Sequence, residues 1–293
     1  MAEEFFDSAF LRKLELLSIL SKKVFAGKIR GERKSSRRGT SVEFADFREY
    51  VHGDDFRYID WNAYARLENL FLKLFIEEEE VYVYILLDAS KSMDYGKRNK
   101  FDYARRVAAA FAYIALANLD RVALGAFGPG LTQSMPAVRG KSQIFNIFHF
   151  LEAVKPEGET SLNRAASEFV ARSKRLGVVV ILSDFLSRDG YEEGLKLLNY
   201  SRFEPLLVQI LAAEEVEPDV TGDLRLVDME DEGFVDISLT RQARSLYRKR
   251  LAAFLSGLDS FSKTHAIAYF QTTSSVPFED LILRYLRQAM LLK

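Results

Sequence analysis

Val81-Tyr82-Val83-Tyr84-Ile85-Leu86-Leu87-Asp88-Ala89-Ser90-Lys91-Ser92 decides the fold of this chain. Its first seven residues form an unbroken apolar and aromatic run, the pattern of a strand buried on both faces. A short polar loop follows, and residues 101–119 then carry apolar side chains at helical spacing. Asp88, Ser90 and Ser92 therefore fall at the C-terminal end of a strand, where open α/β sheets bind their ligands. Asp-x-Ser-x-Ser offers only oxygen. Oxygen donors of low total charge suit Mg2+ or Mn2+, which retain several waters. The motif reads as a hard-cation site before it reads as a catalytic one.

Downstream, strand and helix patterns alternate. Strands are predicted at 121–127, 131–138, 177–183, 204–211 and 266–271, and helices at 142–153, 162–176, 191–200 and 241–262. The second of these strands forms a hairpin with the first. Residues 223–227 and 233–237 read as a polar hairpin insertion, and Pro277 opens a last helix at a first-turn position. The run 177–183 is the most hydrophobic strand and is placed centrally. Such alternation implies a doubly wound, mostly parallel α/β sheet covered on both faces.

Upstream, Phe6, Phe10, Leu14, Leu17, Leu20 and Val24 recur at helical spacing and predict an amphipathic helix over 6–25. Residues 28–38 carry Lys28, Arg30, Arg33, Lys34, Arg37 and Arg38 against Glu32 alone and read as an exposed basic loop. Residues 42–76 are rich in aromatics and turn formers, with short elements at best.

Composition narrows the function. The 41 basic and 42 acidic residues give a net charge of −1, which does not favour a nucleic-acid or membrane-surface binder. An apolar fraction of 48% allows a sizeable core. With no cysteine, disulfides, thiolate metal sites and cysteine nucleophiles are excluded, and a reducing cytosol fits. Three histidines leave little material for imidazole chemistry. The acidic N-terminus lacks the pattern of a signal peptide, and no apolar run reaches the roughly 18 residues of a membrane span. The expectation is a cytoplasmic protein.

Two further loops join the site. Gly158-Glu159-Thr160-Ser161-Leu162 precedes a helix, and Ser183-Asp184-Phe185 ends the most hydrophobic strand. In a doubly wound sheet both can reach the edge that carries Asp88. Thr160 is also placed to be a helix N-cap, a role compatible with ligation. Asp88, Ser90, Ser92, Thr160 and Asp184 together resemble the metal-ion-dependent adhesion site of von Willebrand factor A-type domains. The resemblance implies a Mg2+ (or Mn2+) cofactor with an open position that attracts a carboxylate from a partner protein. It assigns direct coordination to Ser90, Ser92 and Thr160, with Asp88 and Asp184 acting mainly through water or hydroxyl contacts. The sequence leaves that division open. Phe185 stands where many such domains carry glycine.

Ahead of the sheet, Gly39-Thr40-Ser41-Val42-Glu43-Phe44-Ala45-Asp46-Phe47-Arg48-Glu49-Tyr50 leads into Gly53-Asp54-Asp55-Phe56-Arg57-Tyr58-Ile59-Asp60-Trp61-Asn62-Ala63-Tyr64-Ala65-Arg66. With Leu72-Lys73 and the acidic run 77–80, this segment resembles the domain-of-unknown-function family fifty-eight, which joins it to a von Willebrand A-like domain. The implied organisation is an N-terminal helix, basic loop and family-specific segment over 1–79, packed on the sheet, and a von Willebrand A-like domain over 80–293. From the residues alone, the segment reads as a brace of packed aromatics and paired charges, and a partner-docking surface is the alternative.

The family implies a non-enzymatic partner of MoxR-type AAA+ ATPases, chaperone-like in remodelling client proteins, with a client supplying the carboxylate to the metal. No Gly-x-x-x-x-Gly-Lys-Ser/Thr is present, so this chain is not read as the ATPase. The competing reading is a metal-dependent hydrolase, such as a phosphatase with Asp88 as nucleophile and Lys91 or Lys97 on the phosphate. A third is nucleic-acid association through 28–38, weakened by the absence of interleaved aromatics.

Overall fold

The computed structural model describes residues 5–29, 42–77, 81–218, 222–227 and 234–291. In chain order its elements are α1 (Ser8–Ile29), β1 (Val42–Glu49), α2 (Trp61–Leu67), β2 (Phe71–Glu77), β3 (Tyr82–Asp88), α3 (Lys100–Ala117), β4 (Arg121–Phe127) and β5 (Leu131–Arg139). There follow α4 (Ile144–Ala153), α5 (Leu162–Arg172), β6 (Val178–Ser183), α6 (Glu192–Tyr200), β7 (Glu204–Leu211), α7 (Ala213–Val216), β8 (Gly222–Val227), β9 (Phe234–Leu239), α8 (Arg241–Thr264), β10 (Ala268–Thr273) and α9 (Phe278–Leu291). The chain divides into two compact units, Met1–Val24 with Val81–Lys293, and Phe25–Glu80. Most of the expected basic loop, from residue 30, and residues 78–80 of the acidic run lie outside the described residues; Lys28 and Ile29 continue α1.

Six strands form the main sheet in the order β10-β7-β6-β3-β4-β5. All neighbours are parallel except the β4–β5 hairpin. The chain runs outward from β3 through β4 to β5 and then crosses back to β6. The gap between β3 and β6 is thus the topological switch point of a doubly wound sheet. These two apolar strands sit at its centre, as expected of the run 177–183.

Alternation along β3 serves two cores. Tyr84 and Leu86 join Val179, Ile181 and Leu207 in a cluster with Leu162 and Phe169 of α5, Leu195 and Leu198 of α6 and Leu258 of α8. α3 packs on β3, β4 and β6, and against α4 and α9. Its Ala-rich run, Val107 to Ala112, is buried, so the helix can lie close to the strands.

α1 and the turn before it add a layer beside α4 and α9: the Phe6 ring, ahead of the helix, stacks on Phe148 with centroids 4.3 Å apart, and Phe10 meets Phe278 at 5.0 Å. The expected apolar stripe is only partly correct. Phe6, Phe10, Leu14 and Leu17 are buried, whereas Leu20 is exposed and Ser18 and Ser21 lie inside. Each of those serines donates to a carbonyl three residues earlier in the helix, Ser18 to Glu15 and Ser21 to Ser18, which satisfies its hydroxyl there.

The second unit corrects the expectation of short elements. β1 and β2 pair antiparallel over their full lengths, with a bulge between Phe44 and Asp46. The long connection explains the charged motif. Asp60 caps α2, accepting from the Asn62 and Ala63 N–H groups at 2.9 and 3.2 Å. Asp54 accepts from Val51 N–H and from Arg48, which together hold its carboxyl below the usual range. Arg57 pairs with Asp55, and Lys73 with Asp60. The charged half of the brace is therefore built. Within this unit Phe56, Tyr58, Trp61 and Tyr64 are exposed.

Candidate metal centre

β3 delivers Asp88 to the C-terminal edge of the sheet, where its side chain is fully buried. The chain then turns through Ser90 into a single 3-10 turn, Lys91–Met93. Ser90 N–H donates to Asp88 Oδ1 at 3.0 Å, and the Ser90 and Ser92 Oγ atoms lie 3.0 Å apart. Thr160 Oγ1 donates to Asp88 Oδ2 at 3.2 Å. Its loop is tied to the Asp88 loop by two backbone bonds, Lys91 N–H to Gly158 O and Glu157 N–H to Ala89 O. Gly158 adopts φ +72°, a region glycine enters without steric cost. The N-cap of α5 is Ser161, whose hydroxyl accepts from Arg164 N–H, so Thr160 is not the cap.

Four of the five expected residues thus form one hydrogen-bonded cluster at the switch point. Asp184, at the end of β6, lies close enough for Asp88 to feel its charge. Burial first, and then that like charge, push the Asp88 carboxyl up to about 6. Asp184 itself is fully buried. Its Oδ1 accepts from Leu186 N–H at 3.0 Å, and its Oδ2 accepts from Lys100 Nζ at 2.8 Å.

Four participants were not legible as site residues. Ser183 Oγ donates to Asp88 Oδ2 at 2.6 Å and accepts from Phe185 N–H at 2.9 Å. Lys100, the first residue of α3, is fully buried and bridges Asp184 and Glu215, reaching Glu215 Oε1 at 2.6 Å. Gln209 Nε2 donates to the Asp184 carbonyl at 3.0 Å. The only sequence signal for Lys100 was a lysine in the first turn of a helix, where a cation opposes the helix dipole.

Phe185 answers the departure noted in the sequence. Its φ is +60°, so the position does demand the left-handed conformation in which glycine is usual. The ring is buried and meets Tyr191 edge-on at 6.4 Å.

The donor set fits a hard cation. Three neutral hydroxyls and a buried carboxylate converge, and among the described residues no group of three or more His, Asp or Glu side chains is arranged for a metal. Asp88 spends both oxygens as acceptors within the cluster. Beside Ala89 opens a cleft of about 150 Å3 lined by Thr132, Gln133, Ala153, Lys155 and Glu157.

A six-stranded doubly wound sheet with one antiparallel edge and an oxygen-only cluster at its switch point defines a von Willebrand A-like domain. Residues 46–254, well over half of the chain, match the profile of the family described as "Protein of unknown function DUF58", and the chain belongs to that family. It is 29% identical over 254 residues to the "Uncharacterized protein Rv1480" of Mycobacterium tuberculosis, covering 84% of this chain and 79% of the relative. Among solved structures it overlaps BatB from Bacteroides thetaiotaomicron at TM-score 0.46 and 13% identity, over 73% of this chain and 100% of that one. The SpRpn10 VWA domain overlaps at TM-score 0.40 and 10% identity, over 71% of this chain and 95% of that one. No helix among the described residues is long and apolar enough to cross a membrane.

Proposed function

We propose that this chain is a metal-dependent protein-interaction module, in which Asp88, Ser90, Ser92 and Thr160 hold Mg2+ or Mn2+ and Asp184 supports the site from behind. The observation that carries this reading is the cluster built on buried Asp88, in which Ser90 N–H and the Thr160 hydroxyl donate to its carboxyl and the Ser92 hydroxyl lies 3.0 Å from that of Ser90. A bound cation would supply a position open to a partner's carboxylate, because neutral hydroxyls leave its charge largely uncompensated. The residues of this chain orient the hydroxyls, keep Asp88 as an acceptor and leave a cleft beside Ala89 for the partner's side chain. In this reading the chain works in the cytoplasm with a MoxR-type AAA+ ATPase, and a client protein donates the carboxylate.

The test is complex formation between the purified chain and a MoxR-type ATPase with its client, followed by size exclusion. Assembly in Mg2+ that is lost in EDTA, and lost again in Asp88→Ala, supports the reading. Assembly indifferent to both treatments contradicts it.

A further inference from the structure

Lys100 is a fully buried cation at the edge of the site, and three costs attend it. Burial strips its hydration, the first turn of α3 opposes its charge, and its long side chain is immobilised. Two carboxylates offset them, Asp184 on the side of the site and Glu215 on the other. Burial lowers the tendency of the ammonium to hold its proton, and the two carboxylates more than reverse this. The Tyr95 ring lies 6.0 Å from Nζ. Glu215 is anchored in turn: its Oε2 accepts from Ala212 N–H at 2.7 Å, and its carbonyl accepts from Tyr247 of α8.

An ammonium fixed on Asp184 has a definite consequence for a neighbouring cation site. Asp184 is already paired with the ammonium and both its oxygens already accept, so Asp88 is left as the carboxylate without a cation beside the site hydroxyls. We infer that Lys100 is a built-in competitor of the divalent cation: it holds Asp184, keeps the resting affinity for Mg2+ or Mn2+ low, and so makes stable metal binding depend on the partner's carboxylate. This rests on the cation reading given above. Glu215 sets the strength of the competition, since it shares the ammonium with Asp184.

The test is direct Mn2+ titration of the metal-free chain, by the electron paramagnetic resonance signal of free Mn2+. Wild type, Asp88→Ala, Lys100→Gln, Glu215→Gln, and the controls Lys97→Gln and Glu214→Gln are compared after circular dichroism has verified their fold. Removing one charge within a low-dielectric site predicts about ten-fold tighter binding in Lys100→Gln. Glu215→Gln, which leaves the ammonium wholly to Asp184, binds more weakly than wild type, and the controls, exposed Lys97 and half-buried Glu214 outside the hydrogen-bonded cluster, shift affinity by less than about two-fold because charges open to solvent are screened. Should Lys100→Gln fail to fold, Glu215→Gln decides alone: weaker binding supports the inference, and equal or tighter binding overturns it. Wild-type binding abolished by Asp88→Ala but unchanged in both Lys100→Gln and Glu215→Gln overturns the role of Lys100 and leaves the cation site standing. No binding in the wild type or in any variant overturns both.

Discussion

Lys100 Nζ lies 2.8 Å from Asp184 Oδ2, and neither side chain reaches solvent. The pair joins the first turn of α3 to the end of β6 across the switch point of the sheet. A buried pair of this kind is weak evidence for net stability, because desolvation offsets the attraction. It is strong evidence for fixed geometry, because either partner alone is costly.

Asp184→Ala is therefore expected to destabilise the metal-free protein by about 3 kcal/mol, the low end for breaking a buried pair, since Glu215 still holds Lys100. Asp184→Asn keeps an acceptor for Leu186 N–H and is expected to cost less. Urea denaturation in EDTA measures both, and equal costs would refute the distinction.

Asp88 carries a pH dependence of definite sign. Its folded value is raised from 3.8 to about 6, so the folded state binds this proton more tightly than the unfolded chain. The Asp88 contribution to stability is full below about pH 4, is lost as pH rises through about 6, and stays absent above, a difference of about 3 kcal/mol. Asp88→Asn is expected to flatten that window in metal-free protein. Unfolding midpoints at pH 4.5 and 7.5 in EDTA check this, and an unaltered slope in the variant would refute it.

Phe185 reverses a common order of substitutions. Either truncation loses a buried ring, worth about 3–5 kcal/mol. At φ +60° glycine escapes a steric cost of about 1–2 kcal/mol that alanine retains. Phe185→Gly is thus expected to be more stable than Phe185→Ala by about 1 kcal/mol. Thermal unfolding of the two variants decides, and alanine proving the better replacement would remove the strain from the account.

Gly177 stands where a Cβ would meet the Tyr82 carbonyl oxygen at 2.1 Å. Because the obstacle is backbone at the start of β3, Gly177→Ala is expected to cost about 2 kcal/mol or more through displacement of that strand. A cost under about 0.5 kcal/mol, the level of a neutral surface change, would contradict this.

Much of this architecture was legible in the chain because its signals are local. The apolar runs of β3 and β6 announce buried central strands, and Asp88, Ser90 and Ser92 are contiguous with one of them. The β1–β2 hairpin was not legible. Its bulge between Phe44 and Asp46 breaks the two-residue alternation, so Phe44 and Phe47 fall three apart, and its partner strand returns only after a long connection. Lys100, Gln209 and Glu215 escaped for a different reason. Each stands alone in its own element, and only the convergence of α3, β6, β7 and α7 gives it a site to act on.

The most direct measurement is calorimetric titration of Mg2+ and Mn2+ into metal-free wild type and Asp88→Ala. The account expects saturable one-site binding in the wild type, weak enough to be strengthened by a carboxylate partner, and none in the variant. Equal binding in both proteins would place the cation elsewhere, and no binding in either, with partner present, would contradict a metal-dependent site at Asp88.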